Sequence, residues 1–292
     1  MNTLVLQSAA QQRPLWIDRC LASVREWAEQ ADYGYQFMGD ELFEFVPRWY
    51  LAKCGSKLPV ATDLARLVWM QQLLQDDVAD CVLWMDADVL VFAPQLRIAP
   101  QSTCLFGYEY WVQPIPGKAG FQVRGNVHNA VAAFRKNCPI LPFLIEIIQR
   151  LMRRADPDHI APQMMGPKLL RHLHNLADFE LTYEVGALAP DVLIELASQP
   201  GAAMAALAKK VETPMLAANL AASTATATDA ESPETILQRG IDTLLTHRSG
   251  YSYYGNGGGE GPDFRFPYTD LEDYMRHVAS WPVEFEPGTA YL

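Results

Sequence analysis

Five apolar residues, Cys81-Val82-Leu83-Trp84-Met85, run without interruption and end on Asp86-Ala87-Asp88. A run this short and this apolar, with polar residues on both sides, predicts a strand covered on both faces. A second apolar run, Val89-Leu90-Val91-Phe92, follows at once, and Pro94 stops it. Two carboxylates between two apolar runs need a reason, because desolvating unpaired acids is costly. In open α/β sheets ligands gather beyond the carboxyl ends of strands. If the backbone turns at Ala87, both acids can reach one hard divalent cation, which takes oxygen ligands and also accepts phosphate oxygens. The plain alternative is an exposed loop with two ordinary acids, since D-x-D alone is a common tripeptide.

The rest of the chain fits the layered sheet that such a strand needs. Thr3-Leu4-Val5-Leu6 predicts a buried first strand, and Tyr33 to Met38 a second. Between them Trp16, Ile17, Cys20, Leu21, Val24 and Trp27 fall on one helical face. Pro47 to Lys53 reads as a short helix. A longer one follows Pro59, with Leu64, Leu67, Val68 and Leu74 as its apolar side. Leu105 to Tyr110 and Ala130 to Phe134 are further strands. After Pro139, the residues Ile140, Phe143, Leu144, Ile147, Ile148 and Leu151 mark an amphipathic helix. Gly166-Pro167 opens another helix over Lys168 to Leu176. Strands alternate with helices, so the expected class is α/β.

Composition sets limits on function. The net charge of -11 excludes a general basic surface for nucleic acid. It leaves room for an anionic small molecule held through a cation or local arginines and lysines. The five cysteines are scattered, odd in number and never in a C-x-x-C pair, which argues against a zinc site or a disulfide framework and for a reducing cytosol. Cys81, inside the apolar run, is a core residue. Met1 to Gln12 has no basic, apolar signal pattern, and no apolar run reaches the ~20 residues a bilayer requires. Ala202 to Glu231 is rich in Ala, Thr and Ser. Its first part has helical character, and Ala221 to Glu231 reads as a flexible loop. Gly255 to Gly261 lacks the strand and helix of a phosphate-binding turn, so no phosphate role is assigned.

Two further groups carry potential chemistry. In Thr62-Asp63-Leu64-Ala65-Arg66, Asp63 and Arg66 stand three apart on a helix and share a face. Taken alone they read as a local surface ion pair worth ~0.3–0.5 kcal/mol. In Thr246-His247-Arg248-Ser249-Gly250-Tyr251, a neutral imidazole at His247 has the chemistry to complete a metal site with Asp86 and Asp88. Taken alone, a single histidine is more often structural.

Taken together, these segments resemble the GT-A glycosyltransferases of the DxD sugar-binding group, related to capsular-polysaccharide and mannosyl- or galactosyltransferase types. The resemblance rests on the Asp63–Arg66 segment ahead of Leu83 to Asp88, then Asn129-Ala130-Val131-Ala132-Ala133-Phe134, Met165-Gly166-Pro167-Lys168 and His247-Arg248-Ser249, in that order. It spans Leu4 to about Tyr251. Tyr251 and Tyr253 stand where the family often has a Trp.

The resemblance implies a GT-A-like, Rossmann-type mixed central sheet flanked by helices. It implies a nucleotide-sugar-binding catalytic domain over 1–250 with a flexible insertion near 202–231, and a C-terminal appendage over 251–292. The implied reaction is transfer of a hexosyl group from a nucleotide diphosphate sugar, UDP- or GDP-linked, to a hydroxyl acceptor, with retention of configuration. That acceptor would be a glycan, a lipid-linked sugar or another alcohol, as in polysaccharide biosynthesis. The cofactor would be a divalent metal, manganese before magnesium.

By position, Asp63 resembles the acid that contacts the donor nucleoside, and Arg66 its companion near the donor sugar. Asp86 resembles the acid that reaches the ribose or sugar, and Asp88 the direct metal ligand. Asn129 shapes the sugar pocket, His247 is the C-terminal ligand, and Lys168 and Arg248 add positive charge at the diphosphate. The implied place of work is the cytoplasm, compatible with peripheral contact at the inner face of a membrane.

Two rival readings stand beside it. One is a sugar-nucleotide-binding or scaffold protein without turnover. The other is a haloacid-dehalogenase-like phosphatase with Asp86 as nucleophile. That family expects Thr or Val where Leu90 stands, and places its acids near the N-terminus.

Overall fold

The apolar run forms a strand, β3 (Cys81–Met85), with all five side chains buried. It lies in the middle of a six-stranded sheet with β1 (Thr3–Ser8), β2 (Gly34–Met38), β5 (Cys104–Pro114), β6 (Phe121–Arg135) and β7 (Glu180–Thr182). The order is β2-β1-β3-β6-β5-β7. β1 runs parallel to β2 and β3, β6 is antiparallel to β3 and β5, and β7 is parallel to β5. The computed structural model describes residues 1–177, 179–221 and 232–245, with the backbone alone of 246, 252–254 and 263–265. The expected mixed α/β sheet flanked by helices is what the chain forms.

A sheet buried on both faces needs two cores, and two are present. On one side, α2 (Arg48–Cys54), α3 (Leu58–Gln75), α4 (Ile140–Arg154) and α5 (Pro167–Ala177) pack with Leu6, Val82, Trp84, Phe106 and Phe134. On the other, α1 (Leu15–Gln30), α6 (Pro190–Ala197), α7 (Ala202–Ala208) and α8 (Pro233–Thr246) pack with Val5, Leu83 and Met85. Val5 and Leu6, and Val82 and Leu83, divide between the two cores as strand alternation dictates.

Helix α1 buries the six residues expected of it. Helix α4 does not: it buries Leu141, Leu144, Ile145, Ile148 and Met152, while Phe143 is exposed. It is apolar around much of its girth, and only the stripe facing the sheet is covered. Helix α3 is buried nearly all round, squeezed between the sheet and its helical neighbours. That encirclement takes Asp63 and Arg66 into the interior.

After Asp88 the chain leaves the large sheet. Val89–Val91 (β4) joins β9 (Ala217–Asn219) and β8 (Val185–Ala187) in a second sheet of order β4-β9-β8. Within the stretch 202–231, Ala202–Ala208 form α7 and Ala217–Asn219 form β9. Ala203, Leu207, Ala217, Ala218 and Leu220 are each 0 % exposed. Small side chains let α7 and β9 approach their neighbours closely, so an alanine-rich composition here marks tight packing. The helical character expected for the start of the stretch is present; residues 222–231 lie outside the described residues. Of the 251–292 appendage, the antiparallel pair β10 (Ser252–Tyr254) and β11 (Asp263–Arg265) is described, and the glycine-rich 255–261 lies outside. All five cysteines are buried and free. Among the described residues no helix is long and apolar enough to cross a membrane.

Candidate active site

Asp86 and Asp88 occupy the corner where the chain passes from one sheet to the other. The turn is closed by the Val89 amide donating to Asp86 O at 3.1 Å. The Asp86 amide donates to Ala130 O at 2.8 Å, and the Leu220 amide to Asp88 O at 2.9 Å. Gln7, fully buried, donates from Nε2 to Asp86 O at 3.2 Å and accepts from the Tyr35 hydroxyl at 3.1 Å. Backbone polar groups at such a corner are costly to leave unpaired; here the first sheet, the second sheet and a buried amide all supply partners.

The two acids face different surroundings. Asp86 Oδ1 accepts from Arg66 Nη1 at 2.9 Å and from Trp84 Nε1 at 2.6 Å. Its Oδ2 has no hydrogen bond among the described residues, and the side chain is 29 % exposed. Asp88 Oδ1 accepts from Asn219 Nδ2 at 2.6 Å, and Asn219 Oδ1 accepts from the Ala221 amide at 2.7 Å. The bond between Asn219 and Asp88 spans 131 residues of sequence.

Behind Asp86 lies a buried polar network. Arg66 donates from Nη1 to Asn129 O at 3.0 Å, from Nη2 to Asp63 Oδ1, and its guanidinium lies 5.5 Å from the Trp84 ring centre. Asn129 Nδ2 donates to the same Asp63 oxygen at 2.9 Å. Asp63 and Arg66 are 5 % and 4 % exposed. The surface ion pair suggested by their spacing is therefore a buried pair instead, which is stable only when its hydrogen bonds are complete. Burial pushes the Asp63 carboxyl up to about 6, against the downward pull of Arg66 and the Asn129 amide; the Asp86 charge adds to the rise. The same elements leave a small cavity behind the ion pair, lined on its apolar side by Phe106, Leu144 and Met165.

The β6 strand is shaped to deliver Asn129. Phe106 pairs with Ala132 but the next residue, Gly107, pairs with His128, so residues 129–131 bulge out of the β5 ladder toward Asp86. His128 is buried. Its Nδ1 accepts from the Ala130 amide at 3.1 Å, which leaves Nε2 to donate to Val185 O at 3.0 Å. Burial holds this imidazole down at about 4, so it is neutral near pH 7. Two glycines make the approach feasible. A Cβ on Gly107 would collide with the His128 ring, and one on Gly166 would lie 2.5 Å from Asn129 Nδ2 and 2.9 Å from both Asp63 oxygens.

Four of the residues singled out from the sequence, Asp63, Arg66, Asp86 and Asn129, thus form one connected network, with Gly166 against it and Asp88 at its outer edge. Asp63, expected to contact a nucleoside, bonds Arg66 and Asn129 in this structure. Lys168 is exposed in the first turn of α5 and forms no ion pair with Asp63, Asp86 or Asp88. His247 and Arg248 lie outside the described residues. Among the described residues no three His, Cys, Asp or Glu side chains converge as a metal site.

Sequence reasoning missed Gln7, Trp84 as a donor, His128 and Asn219. A signal existed for two of them. Trp84 and Asp86 stand two apart at the end of an apolar strand run, a spacing that puts them on one face if the extended backbone continues, and Asn219 is the lone polar side chain between Met215 and Ala222.

No family model matches the chain, and no curated protein matches it. Among solved structures, it is similar to a glycosyltransferase involved in the glycosylation of the major capsid of PBCV-1, at TM-score 0.45 and 12 % identity, over 83 % of this chain and 99 % of that one. It is also similar to A197 from STIV, at TM-score 0.27 and 9 % identity, over 62 % of this chain and 80 % of that one.

Proposed function

We propose that the chain is a metal-dependent glycosyltransferase of the GT-A type that uses a nucleotide diphosphate sugar as donor. The observation that carries this reading is the pair Asp86 and Asp88 at the carboxyl end of a central strand, Asp86 held by Arg66 and Trp84 and Asp88 by Asn219. A small hard cation commonly takes one or two protein carboxylates and fills its remaining positions with waters and substrate phosphates. Two carboxylates suit that arrangement, with the donor's diphosphate supplying much of the remaining coordination. Asp88 would bind the metal directly and Asp86 through water, or Asp86 Oδ2 would accept from a ribose or sugar hydroxyl. When bound, manganese or magnesium would offset the charge that develops on the departing diphosphate.

The protein's own contribution is placement. Arg66 holds Asp86 in one rotamer and partly balances its charge, while Asp63 and Asn129 hold Arg66. Asn219 holds Asp88. An acid fixed in this way loses little freedom when a ligand arrives. Retention at the sugar carbon, a hydroxyl acceptor, and work at the cytoplasmic side of a membrane belong to this reading through the family resemblance. Lys168, Arg248 and His247 keep the diphosphate and metal roles that the resemblance gives them.

The test is a thermal-shift panel of UDP- and GDP-sugars with and without manganese, repeated on Asp88→Asn. A ligand at ~100 times its Kd raises stability by ~2.7 kcal/mol. The expected result is a manganese-dependent shift in the parent and none in Asp88→Asn, whose unliganded melting curve stays close to the parent's. Equal donor and manganese binding by Asp88→Asn would overturn the reading. Repeated release of nucleoside diphosphate separates an enzyme from a scaffold that only binds.

A further inference from the structure

Asn126 Oδ1 is the one buried side-chain nitrogen or oxygen without a hydrogen-bond partner among the described residues. Directly across the ladder from Asn126 stands Glu109. Opposed residues of an antiparallel pair share a face, with Cβ atoms roughly 4.5–5.5 Å apart. Glu109 makes no hydrogen bond or ion pair among the described residues, and burial alone pushes its carboxyl up to about 7. Two polar side chains therefore stand side by side, each partly withdrawn from water and neither satisfied by the protein. Such groups are costly to keep unless something else supplies the missing bonds.

Their chemistry narrows what that partner is. The Asn126 amide oxygen accepts, and the Glu109 carboxyl, raised to about 7, accepts when ionised and donates when protonated, so a partner that both donates and accepts, such as a hydroxyl, suits the pair. It is not an anion, which the carboxylate would repel. Arg124, the next basic residue on the same face, exerts no resolved pull on the Glu109 carboxyl. Beside Glu109 and Asn126 on that face comes the pair Trp111 and Arg124, and the Trp111 ring is only partly covered. Neighbouring hydroxyl acceptors and an aromatic surface suit a neutral ring that carries hydroxyls on its edge and C–H bonds on its face.

Their position connects the pair to the acids. The β5–β6 hairpin extends beyond the carboxyl end of β3. Gly107 and His128 pair at its base, and Glu109 and Asn126 form the next pair on the same face, roughly 7 Å further along the strands. His128, on that face, bonds Val185 of the second sheet, and the same sheet carries Asn219, which holds Asp88.

We propose that Glu109 and Asn126 form an acceptor-sugar subsite, in which the carboxyl group and the amide oxygen accept hydrogen bonds from the hydroxyls of a neutral pyranoside. The inference rests on the glycosyltransferase reading for its place in the reaction, and on the two unsatisfied acceptors for its ligand. Glu109 and Asn126 bind and orient; no proton transfer is assigned to them.

The test uses the full chain and three probes, the methyl glycosides of glucose, galactose and mannose, each with UDP and manganese present and absent. Binding is read by saturation-transfer NMR and calorimetry in the parent, Glu109→Gln and Asn126→Leu. The expected result is binding of at least one glycoside, weakened about tenfold or more by each substitution, as for loss of a hydrogen bond at a charged or buried group. Melting temperature supplies the control. Asn126→Leu removes an unsatisfied buried atom and leaves stability unchanged or higher, so lost binding cannot be assigned to unfolding.

Three results overturn the proposal. They are no glycoside binding under any condition, binding indifferent to both substitutions, and a pair filled only by water or by an added cation such as calcium. The outcome is separable from that of the donor panel. If donor sugars bind but the glycosides ignore Glu109 and Asn126, the subsite falls and the glycosyltransferase reading stands. If glycosides bind through this pair but no nucleotide sugar binds, the reverse holds.

Discussion

Replacing Arg66 with Met should be among the most damaging single changes available in this protein. Met keeps much of the side chain's apolar volume and removes the charge. Asp63 Oδ1 would be left with the Asn129 amide alone, and Asp86 Oδ1 with the Trp84 indole. Removing one partner of a buried ion pair costs about 3–5 kcal/mol, because the other charge stays buried without compensation. Asp63 has an escape, since burial already holds its carboxyl up at about 6. Without Arg66 to pull it down the carboxyl rises further and takes up a proton.

The sign of the pH dependence follows. The folded variant binds a proton that the unfolded chain, with an aspartate near 3.9, releases. Stability of Arg66→Met therefore rises relative to the parent as pH falls from about 8 to about 5. Urea unfolding of both proteins at the two ends of that range measures it. The double variant Arg66→Met/Asp63→Asn removes the stranded charge and should recover a large part of the loss at pH 8. A cost under about 1 kcal/mol at pH 8, or a loss independent of pH, or a double variant no better than the single one, would refute the reasoning.

Gly166→Ala should cost about 1–3 kcal/mol by overpacking and should be eased by Asn129→Ala, which vacates the space the new methyl needs; urea midpoints of the two variants decide it. His128 is held at about 4 when folded and titrates near 6.5 when unfolded. Its contribution is complete above the unfolded value and is lost as pH falls through the folded one, up to about 3 kcal/mol. His128→Gln should thus show a flatter stability profile than the parent between those values. Asn219→Ala should cost about 1 kcal/mol of stability and weaken manganese-dependent donor binding, and unchanged binding by calorimetry would show that Asp88 needs no such support.

Much of this architecture could be read from the sequence because single segments announce themselves. The run Cys81–Met85 is too apolar and too short for anything but a buried strand, and the periodicity of Trp16 to Trp27 fixes one helix face. The ordered set Asp63, Arg66, Asp86 and Asn129 could be read as belonging together only through resemblance, since spacing alone makes Asp63 and Arg66 a surface pair. What the pattern could not supply was the second sheet. Three strands of three residues each are too brief to show alternation, and an alanine-rich stretch gives the same signal whether it is a loop or a tight packing layer. Asn219 stands out in the sequence as a lone polar residue, but its place beside Asp88 depends on that sheet and could not be read. The role of Asn126 was also illegible, because an amide's missing partner is a property of its surroundings.

The contact between Asp88 and Asn219 also sets when the candidate site can exist. A ribosome delivers Asp86, Asp88, Arg66 and Asn129 well before the strand that carries Asn219, so the first half of the chain can assemble its buried ion pair while Asp88 still lacks its amide. Closing a link of that sequence length is slow relative to local helix formation. Asp88 therefore remains loosely held until β9 slides in beside β4, and ability to grip a cation becomes a late event in folding. Metal affinity followed during refolding would then report completion of the second sheet rather than formation of the first.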